Sequence, residues 1–255
     1  MKKSGLLLIA LFVVCFVIAS CASNQLGSTN SSSDNLDVKR ARAHTELGAA
    51  YFQQNNMEIA LEEFNEAIKV DASYGLAYNG LGLVYSALGQ TNEADANFKK
   101  SIQLEPSNSE SHNNYGSFLC GHQRYDESII QFLEAVKNPL YGTPTVAYTN
   151  AGICSVRKND IKSAELYLQR ALQLEPLNHT AALSLAQIQF NRGDAKAAKN
   201  ALQNALIVGQ SPDVLWLGIK IARKLSDQDA ESSYALALRK QYPNSEQTKL
   251  LLNGQ

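Results

Sequence analysis

Histidine and cysteine are the side chains of this chain that could bind a metal ion or act as nucleophiles. No two histidines are three or four residues apart, so no helix face offers a metal ion two imidazoles. The sequence also contains no G-x-S-x-G motif, no Walker loop and no glycine-rich phosphate loop. We therefore predict no catalytic residue, no metal site, no cofactor and no small-molecule substrate: the protein is not an enzyme. The histidines are His44, His112, His122 and His179, and the cysteines are Cys15, Cys21, Cys120 and Cys154.

Cys21 follows a segment with the pattern of a secretory signal peptide. Lys2 and Lys3 precede an apolar run over residues 6–18, which is shorter than the roughly 20 residues that a membrane-spanning helix needs. The small residues that follow resemble the bacterial lipobox, in which a signal peptidase cleaves just before a cysteine that carries lipid such as palmitate. By this resemblance residues 1–20 are a lipoprotein signal peptide and Cys21 is the lipidation site. The alternative is an ordinary cysteine of the signal region.

The residues after Cys21 predict a cellular location and a flexible tether. Ala22 and Ser23 stand where many inner-membrane lipoproteins have an aspartate, so the resemblance implies lipid anchoring on the periplasmic side of the outer membrane. Residues 21–36 comprise the cysteine and a stretch rich in Ser and Asn, which predicts a flexible tether because it cannot repay its ordering entropy. Loss of residues 1–20 lowers the net charge from −1 to −3, which disfavours nucleic acid as a partner.

Small residues recur along the rest of the chain at a nearly fixed period. The successive spacings are 34, 34, 36, 34 and 34 residues. A small residue follows each of these positions by twelve residues and a large apolar residue by sixteen, and in the first five repeats a further small residue follows by nineteen. Each period therefore predicts two helices that pack closely through small residues. The four columns are Gly48, Gly82, Gly116, Gly152, Ala186 and then Lys220, where the pattern fades; Ala60, Ala94, Ser128, Ala164, Ala198 and Ser232; Phe64, Phe98, Phe132, Leu168, Leu202 and Leu236; and Ala67, Ser101, Ala135, Ala171 and Ala205.

These columns resemble the tetratricopeptide repeat, a helix-turn-helix unit. The resemblance implies an all-α fold, a right-handed superhelix of about six repeats over residues 37–255. Pro106 and Pro176 end second helices at equivalent positions. Repeat six matches least, because Trp216 takes the first large position but Lys220 and Arg223 take the next conserved ones, as suits a terminal cap. The repeats cover about 41–74, 75–108, 109–142, 145–178, 179–212 and 213–246.

One join between repeats is two residues longer than the others. The excess lies in residues 138–144, where two prolines and a glycine predict a rigid extended elbow; a tolerated loop insertion is the alternative. Cys120 and Cys154 lie near the ends of the first helices on either side of it. Since the repeat packs consecutive first helices side by side, these cysteines are candidates for a disulfide in an oxidising periplasm. The alternative is a pair of small buried hydrophobic side chains.

The repeat also implies a concave groove in which a protein partner binds. The first-helix positions that usually face such a groove are apolar or amide here, with few charges, which suits an extended or helical peptide. The asparagines could equally serve helix packing. The candidate groove residues are Leu76, Asn79, Leu83, Asn113, Ser117, Thr149, Ile153, Leu183, Gln187 and Phe190.

The third repeat, the join after it and the start of the fourth resemble one family most. Residues 113–120, 138–141 and 150–154, with the lipobox and the serine-rich tether, are similar to the PilW/PilF family of type IV pilus biogenesis lipoproteins. Membership implies a pilotin, which binds the pilus secretin and promotes its outer-membrane localisation, multimerisation or stability in support of pilus (fimbrium) biogenesis. The alternative is a periplasmic lipoprotein adaptor for cell-wall hydrolases or outer-membrane assembly factors.

Overall fold

Helices make up all the regular secondary structure in the described part of the chain. The computed structural model describes residues 28–254, with the side chains of residues 35–254. A first compact unit extends to Glu105 and a second begins at Pro106. The first contains α1 (Ser28–Gln53), α2 (Met57–Val70), α3 (Gly75–Ala87) and α4 (Thr91–Leu104). The second contains α5 (Ser109–Gly121), α6 (Tyr125–Ala135), α7 (Pro144–Arg157), α8 (Ile161–Leu174), α9 (His179–Asn191), α10 (Ala195–Val208), α11 (Pro212–Leu225), α12 (Gln228–Gln241) and α13 (Glu246–Leu252).

The helices pack in consecutive pairs, one pair to each repeat. The pairs are α1 with α2, α3 with α4, α5 with α6, α7 with α8, α9 with α10 and α11 with α12. The predicted all-α fold of six helix-turn-helix repeats is therefore confirmed. The short α13 packs on α11 and α12, and its Thr248 is 2% exposed. The terminal repeat thus does not meet water with its whole outer face, because α13 covers part of it.

Close contact between the two helices of a repeat depends on the first small residue. A Cβ placed on Gly116 would lie 2.8 Å from Cδ1 of Phe132 in the second helix of the same repeat. The Ser128 hydroxyl, one turn before Phe132, donates a 2.7 Å hydrogen bond to the Gly116 carbonyl oxygen. A side chain at residue 116 would therefore push the helices apart and expose Phe132, whose burial stabilises the fold by about 2–3 kcal/mol.

The later columns of repeats one to five are buried as the period predicts. Each large residue of the second helix is at most 2% exposed, and the small residues on either side of it are fully buried. The second helices α4 and α8 end at Leu104 and Leu174, two residues before Pro106 and Pro176. The prolines thus mark these two helix ends, as predicted.

Repeat six follows a different register from the predicted one. In repeats one to five a residue with positive φ lies seven positions after the small residue, as Asn159 (φ 66°) follows Gly152. In repeat six that residue is Ser226 (φ 57°), which places Ile219 rather than Lys220 in the first column. The predicted second-helix residues are wrong too, because Leu236 is 62% exposed whereas Leu238 is fully buried.

The register slips because the join before α11 is one residue shorter than most. Three residues separate α10 from α11, whereas four separate α2 from α3 and α8 from α9. The packing is also inverted: the large Ile219 lies in the first helix and the small Ala235 opposite it, and both belong to one buried cluster. One position earlier, a Cβ placed on Gly218 would lie 3.0 Å from the Tyr234 ring. A search for a small first-helix residue and a large second-helix residue therefore misplaces the register of this repeat.

The join between α6 and α7 is a turn rather than an extended elbow. The Tyr141 backbone N–H donates to the Asn138 carbonyl oxygen at 3.1 Å, and the Leu140 N–H donates to the Asn138 side chain at 2.9 Å. Pro144 is the first residue of α7, where its missing N–H costs nothing. Pro144 thus begins α7, and the Asn138 side chain folds the connection before it.

The first helix begins earlier than the composition suggests. α1 starts at Ser28, so residues 28–36 of the predicted tether are helical. Extending an existing helix adds one hydrogen bond for each residue fixed, which is far less costly than starting a new one. The predicted signal peptide, Cys21 and the start of the predicted tether lie outside the described residues. Between residues 28 and 254 no helix is both long enough and apolar enough to cross a membrane.

Candidate functional site

Cys120 and Cys154 meet between α5 and α7. Their Cα atoms are 5.9 Å apart, within the usual range for a disulfide, and their sulfur atoms are close enough to be bonded. Cys154 is fully buried and Cys120 is 6% exposed. The Ser128 hydroxyl lies 3.3 Å from the Cys154 sulfur. The geometry therefore suits the predicted bridge, in a position that joins repeats three and four.

The histidines contact neighbouring helices or turns rather than each other. In His112, Nδ1 lies 2.7 Å from the side-chain oxygen of Gln131 and Nε2 lies 2.9 Å from the Pro106 carbonyl oxygen. Nδ1 of His44 is paired with the Glu63 carboxylate at 2.7 Å. Residues 28–254 contain no cluster of three or more histidine, cysteine or acidic side chains placed to hold a metal ion.

In the first compact unit, two of the three candidate groove residues are partly accessible. Leu76 and Leu83 are half-buried on α3, whereas Asn79 is only 4% exposed. The expectation that Asn79 offers its amide to a partner is therefore wrong. Asn79 lies on the side of α3 that packs against the neighbouring helices, and this packing encloses its amide.

In the second compact unit, amide side chains form a short ladder across α5 and α7. The Asn150 amide nitrogen donates to the Asn113 side-chain oxygen at 3.1 Å and lies 3.5 Å from the Ser117 hydroxyl. Thr149 is 5% exposed and donates to the Thr145 carbonyl oxygen at 2.8 Å, so it does not line a groove as predicted. The ladder faces partly outward and joins neighbouring repeats.

A pocket of about 840 Å³ lies among α7, α9 and α11, within the range that encloses a small ligand or a few side chains. We call it the α7–α9–α11 pocket. Its walls include the predicted groove residues Ile153, Leu183 and Gln187, together with Trp216 and Lys220 of repeat six. Phe190 does not line the pocket itself, but its ring lies 5.5 Å from the Lys220 ammonium. The structure thus brings together the groove residues of repeats four to six.

Charged side chains surround the apolar walls of this pocket unevenly. Burial lowers the pKa of Lys220 from its usual value, and the charge of Asp213 opposes that shift. The Asp213 carboxylate also accepts a 2.7 Å hydrogen bond from Gln247. Arg192 pairs with Glu165 at 2.8 Å, and Arg157 points at the Cys120 sulfur over 3.8 Å. Three basic residues and one acidic residue therefore line the pocket.

Sequence reasoning missed Trp216 and Lys220 because it placed them in the repeat-six core. With Ile219 in the first column, both residues move to groove positions: Trp216 shares a column with Leu183, and Lys220 shares one with Gln187. The signal that could have found this register is the N-cap, since Asn178 caps α9 eight residues before Ala186. Ser211 caps α11 and precedes Pro212 at the first helical position, eight residues before Ile219.

Comparison with known proteins supports both the repeats and a closer likeness. Family models described as TPR repeat and tetratricopeptide repeat match residues 48–89, 76–108 and 156–216. The type IV pilus assembly protein PilF of Pseudomonas aeruginosa is 28% identical over 236 residues, which are 92% of this chain and 93% of PilF. A PilF structure aligns with a TM-score of 0.77 and 27% identity over 86% of this chain and 99% of that one.

The crystal structure of PilW, described as a widely conserved type IV pilus biogenesis factor, aligns with a TM-score of 0.74. It shares 30% identity over 83% of this chain and 98% of PilW. The paired helices and the family models together define a tetratricopeptide repeat protein. Because the likeness to PilW and PilF extends over nearly all of those proteins, the chain belongs to the PilW/PilF family of type IV pilus biogenesis proteins.

Proposed function

We propose that this protein is an outer-membrane-anchored tetratricopeptide scaffold that binds the type IV pilus secretin and promotes its outer-membrane localisation, multimerisation or stability. The observation that carries the proposal is the likeness to PilF and PilW, named for pilus assembly and biogenesis, over at least 83% of the chain. The protein acts by binding its partner rather than by catalysing a reaction.

The groove of the second compact unit supports binding of a peptide segment. Ile153, Leu183 and Gln187 are half-buried, so they combine apolar area with access from solvent. The Asn113–Asn150 ladder leaves amide groups beside this surface that can pair with a bound backbone. Such surfaces suit recognition of an extended or helical segment.

A lipid on Cys21 supplies the second part of the proposal. Anchoring holds the repeats at the outer membrane, so a secretin captured by the groove meets the membrane at a raised local concentration. Each buried methylene of an acyl chain contributes about 0.8 kcal/mol to membrane binding, and stable anchoring needs more than one chain or signal.

Crosslinking followed by pull-down from cell envelopes tests both parts. We expect the wild-type protein and Cys21→Ala to capture the secretin, but only the wild type to place secretin multimers in the outer membrane. Normal outer-membrane multimers with soluble Cys21→Ala protein would refute the anchoring part. Recovery of cell-wall hydrolases or outer-membrane assembly factors without secretin would refute the binding part and favour an adaptor.

A groove variant with a matched control locates the binding surface. Leu183→Gln places an amide on the half-buried α9 side of the groove, whereas Leu166→Gln changes a side chain that is 62% exposed on α8. We expect Leu183→Gln to weaken secretin capture about tenfold, as loss of an apolar anchor does, and Leu166→Gln to leave it unchanged. Equal capture by both variants would place the binding surface elsewhere.

A further inference from the structure

The α7–α9–α11 pocket holds a cation for which the described residues provide no ion pair. The Lys220 ammonium lies over the Phe190 ring at 5.5 Å, and burial lowers the pKa of Lys220. Asp213 acts on it only as a nearby charge, and that carboxylate is already hydrogen-bonded to Gln247. A half-buried ammonium loses hydration that neither the ring nor Asp213 fully replaces, so an anion from outside would be favoured there.

The other cations of the pocket have partners already. Arg192 is engaged by Glu165, and Arg157 is directed at the Cys120 sulfur. They still make the lining positive, since three basic residues face one acidic residue. The charge pattern therefore favours an acidic occupant and points to Lys220 as the group that would receive it.

The walls of the pocket are apolar on either side of Lys220. Ile153 and Leu183 lie half-buried on α7 and α9, and Trp216 lies half-buried on α11, one helical turn before Lys220. Tryptophan is among the side chains most enriched in binding hot spots. An occupant must therefore offer apolar surface and a carboxylate close together.

We infer that this pocket binds a protein segment that carries apolar side chains beside a glutamate or aspartate. The apolar side chains pack against Ile153, Leu183 and Trp216, and the carboxylate pairs with Lys220. The inference rests on the proposed function, because it names the chemistry of the segment that the groove captures. It assigns repeat six, the least regular of the repeats, a role in recognition.

Trp216 provides a direct readout because it is the only tryptophan of the chain. The probes are two short capped peptides rich in leucine and alanine, identical except that one carries glutamates and the other glutamines. We expect the glutamate peptide to shift Trp216 emission and to bind about tenfold more tightly than the glutamine peptide, as a charge-assisted hydrogen bond to a half-buried ammonium implies. Added salt should reduce that preference.

Lys220→Met and Lys224→Met form a matched pair of variants on α11. Met keeps the length and apolar stem of lysine, and Lys224 is exposed outside the pocket. We expect Lys220→Met to bind both peptides equally and Lys224→Met to keep the tenfold preference. Circular dichroism spectra that match the wild type confirm that each variant is folded.

Several results would overturn the inference. They are equal binding of the two peptides to the wild type, no change in Trp216 emission at millimolar peptide, or a preference that survives in Lys220→Met. A shift of Trp216 emission by oleate but by neither peptide would assign the pocket to a lipid carboxylate. A shift on concentrating the protein alone would assign it to a second copy. None of these results bears on secretin capture from envelopes, so the two proposals fail separately.

Discussion

Two contacts between first helices of the second compact unit are formed by equivalent repeat positions but have different roles. Where α5 meets α7, the positions hold Cys120 and Cys154, whose Cα atoms are 5.9 Å apart. Where α9 meets α11, the same positions hold Phe190 and Ile221. Ile221 is buried, Phe190 packs against its cluster, and the pocket with Lys220 opens beside them.

The two contacts show that the same repeat geometry can stabilise the fold between α5 and α7 and leave a surface open for binding between α9 and α11. Around the cysteines, buried side chains fill the contact, including the fully buried Ala151 and Phe132, which is 1% exposed. Around Lys220, an incompletely solvated charge and a half-buried tryptophan remain accessible. Natural proteins accept such local costs most often where a ligand relieves them.

The largest expected effect tests the register of repeat six, which determines the side chains at the contact between α9 and α11. Leu238→Ala removes a fully buried side chain and should lower the free energy of unfolding by about 2–5 kcal/mol. Leu236→Ala removes a side chain that is 62% exposed and should change it by less than about 0.5 kcal/mol. Urea denaturation followed by circular dichroism measures both. A larger loss for Leu236→Ala would restore the register predicted from the period.

The next effect tests whether a disulfide joins α5 and α7 at their contact. A thiol titration of the protein, isolated without reductant and denatured under non-reducing conditions, should find neither Cys120 nor Cys154 free. The bridge closes a loop with a sequence separation of 34 residues, so replacing both cysteines by alanine should lower the free energy of unfolding by about 3–4 kcal/mol. Trp216 emission of the folded variant should stay unchanged, because Trp216 lies on α11, whereas the pocket residues beside the cysteines lie on α7. Two free thiols would make the pair simply two buried apolar side chains.

The repeats were predictable from the sequence wherever a small residue in the first helix faces a large one in the second. Gly116 and Phe132 are such a pair, and helical periodicity alone aligns them. Ile219 and Ala235 reverse the sizes while keeping the buried space filled, so residue size could not correct the one-residue error that the 34-residue period makes there. The Ser211–Pro212 helix start carries the correct register, because capping depends on backbone geometry rather than on core volume.

The candidate site was predictable only in part. Ile153, Leu183 and Gln187 line the pocket, as their repeating columns led us to expect of a groove, and Cys120 and Cys154 lie side by side because consecutive first helices pack together. Asn79 and Thr149 were misjudged, since periodicity gives the side of a helix but not how closely its neighbours cover it. The charge balance around Lys220 depends on Asp213, Arg192 and their partners on other elements, which no spacing in the sequence reveals.

The smallest expected effect measures how much the half-buried Lys220 lowers the free energy of unfolding of the protein without a bound partner. Because burial lowers the pKa of Lys220 in the folded state, the unfolded chain binds more protons between that lowered pKa and the ordinary value of 10.5. Wild-type stability should therefore rise relative to Lys220→Met as the pH increases through this window. At pH 7 the cost is fully present, so Lys220→Met should be the more stable protein, by no more than about 1 kcal/mol.

The difference between wild type and Lys220→Met, followed by urea denaturation from pH 7 to pH 10, checks this sign. Taking the difference cancels the titration of tyrosines and other lysines, which both proteins share. Lys224→Met should show no such trend, since Lys224 is exposed. If Lys220→Met were less stable than the wild type at pH 7, Lys220 would be stabilising the contact through Phe190, and the two contacts would both serve stability.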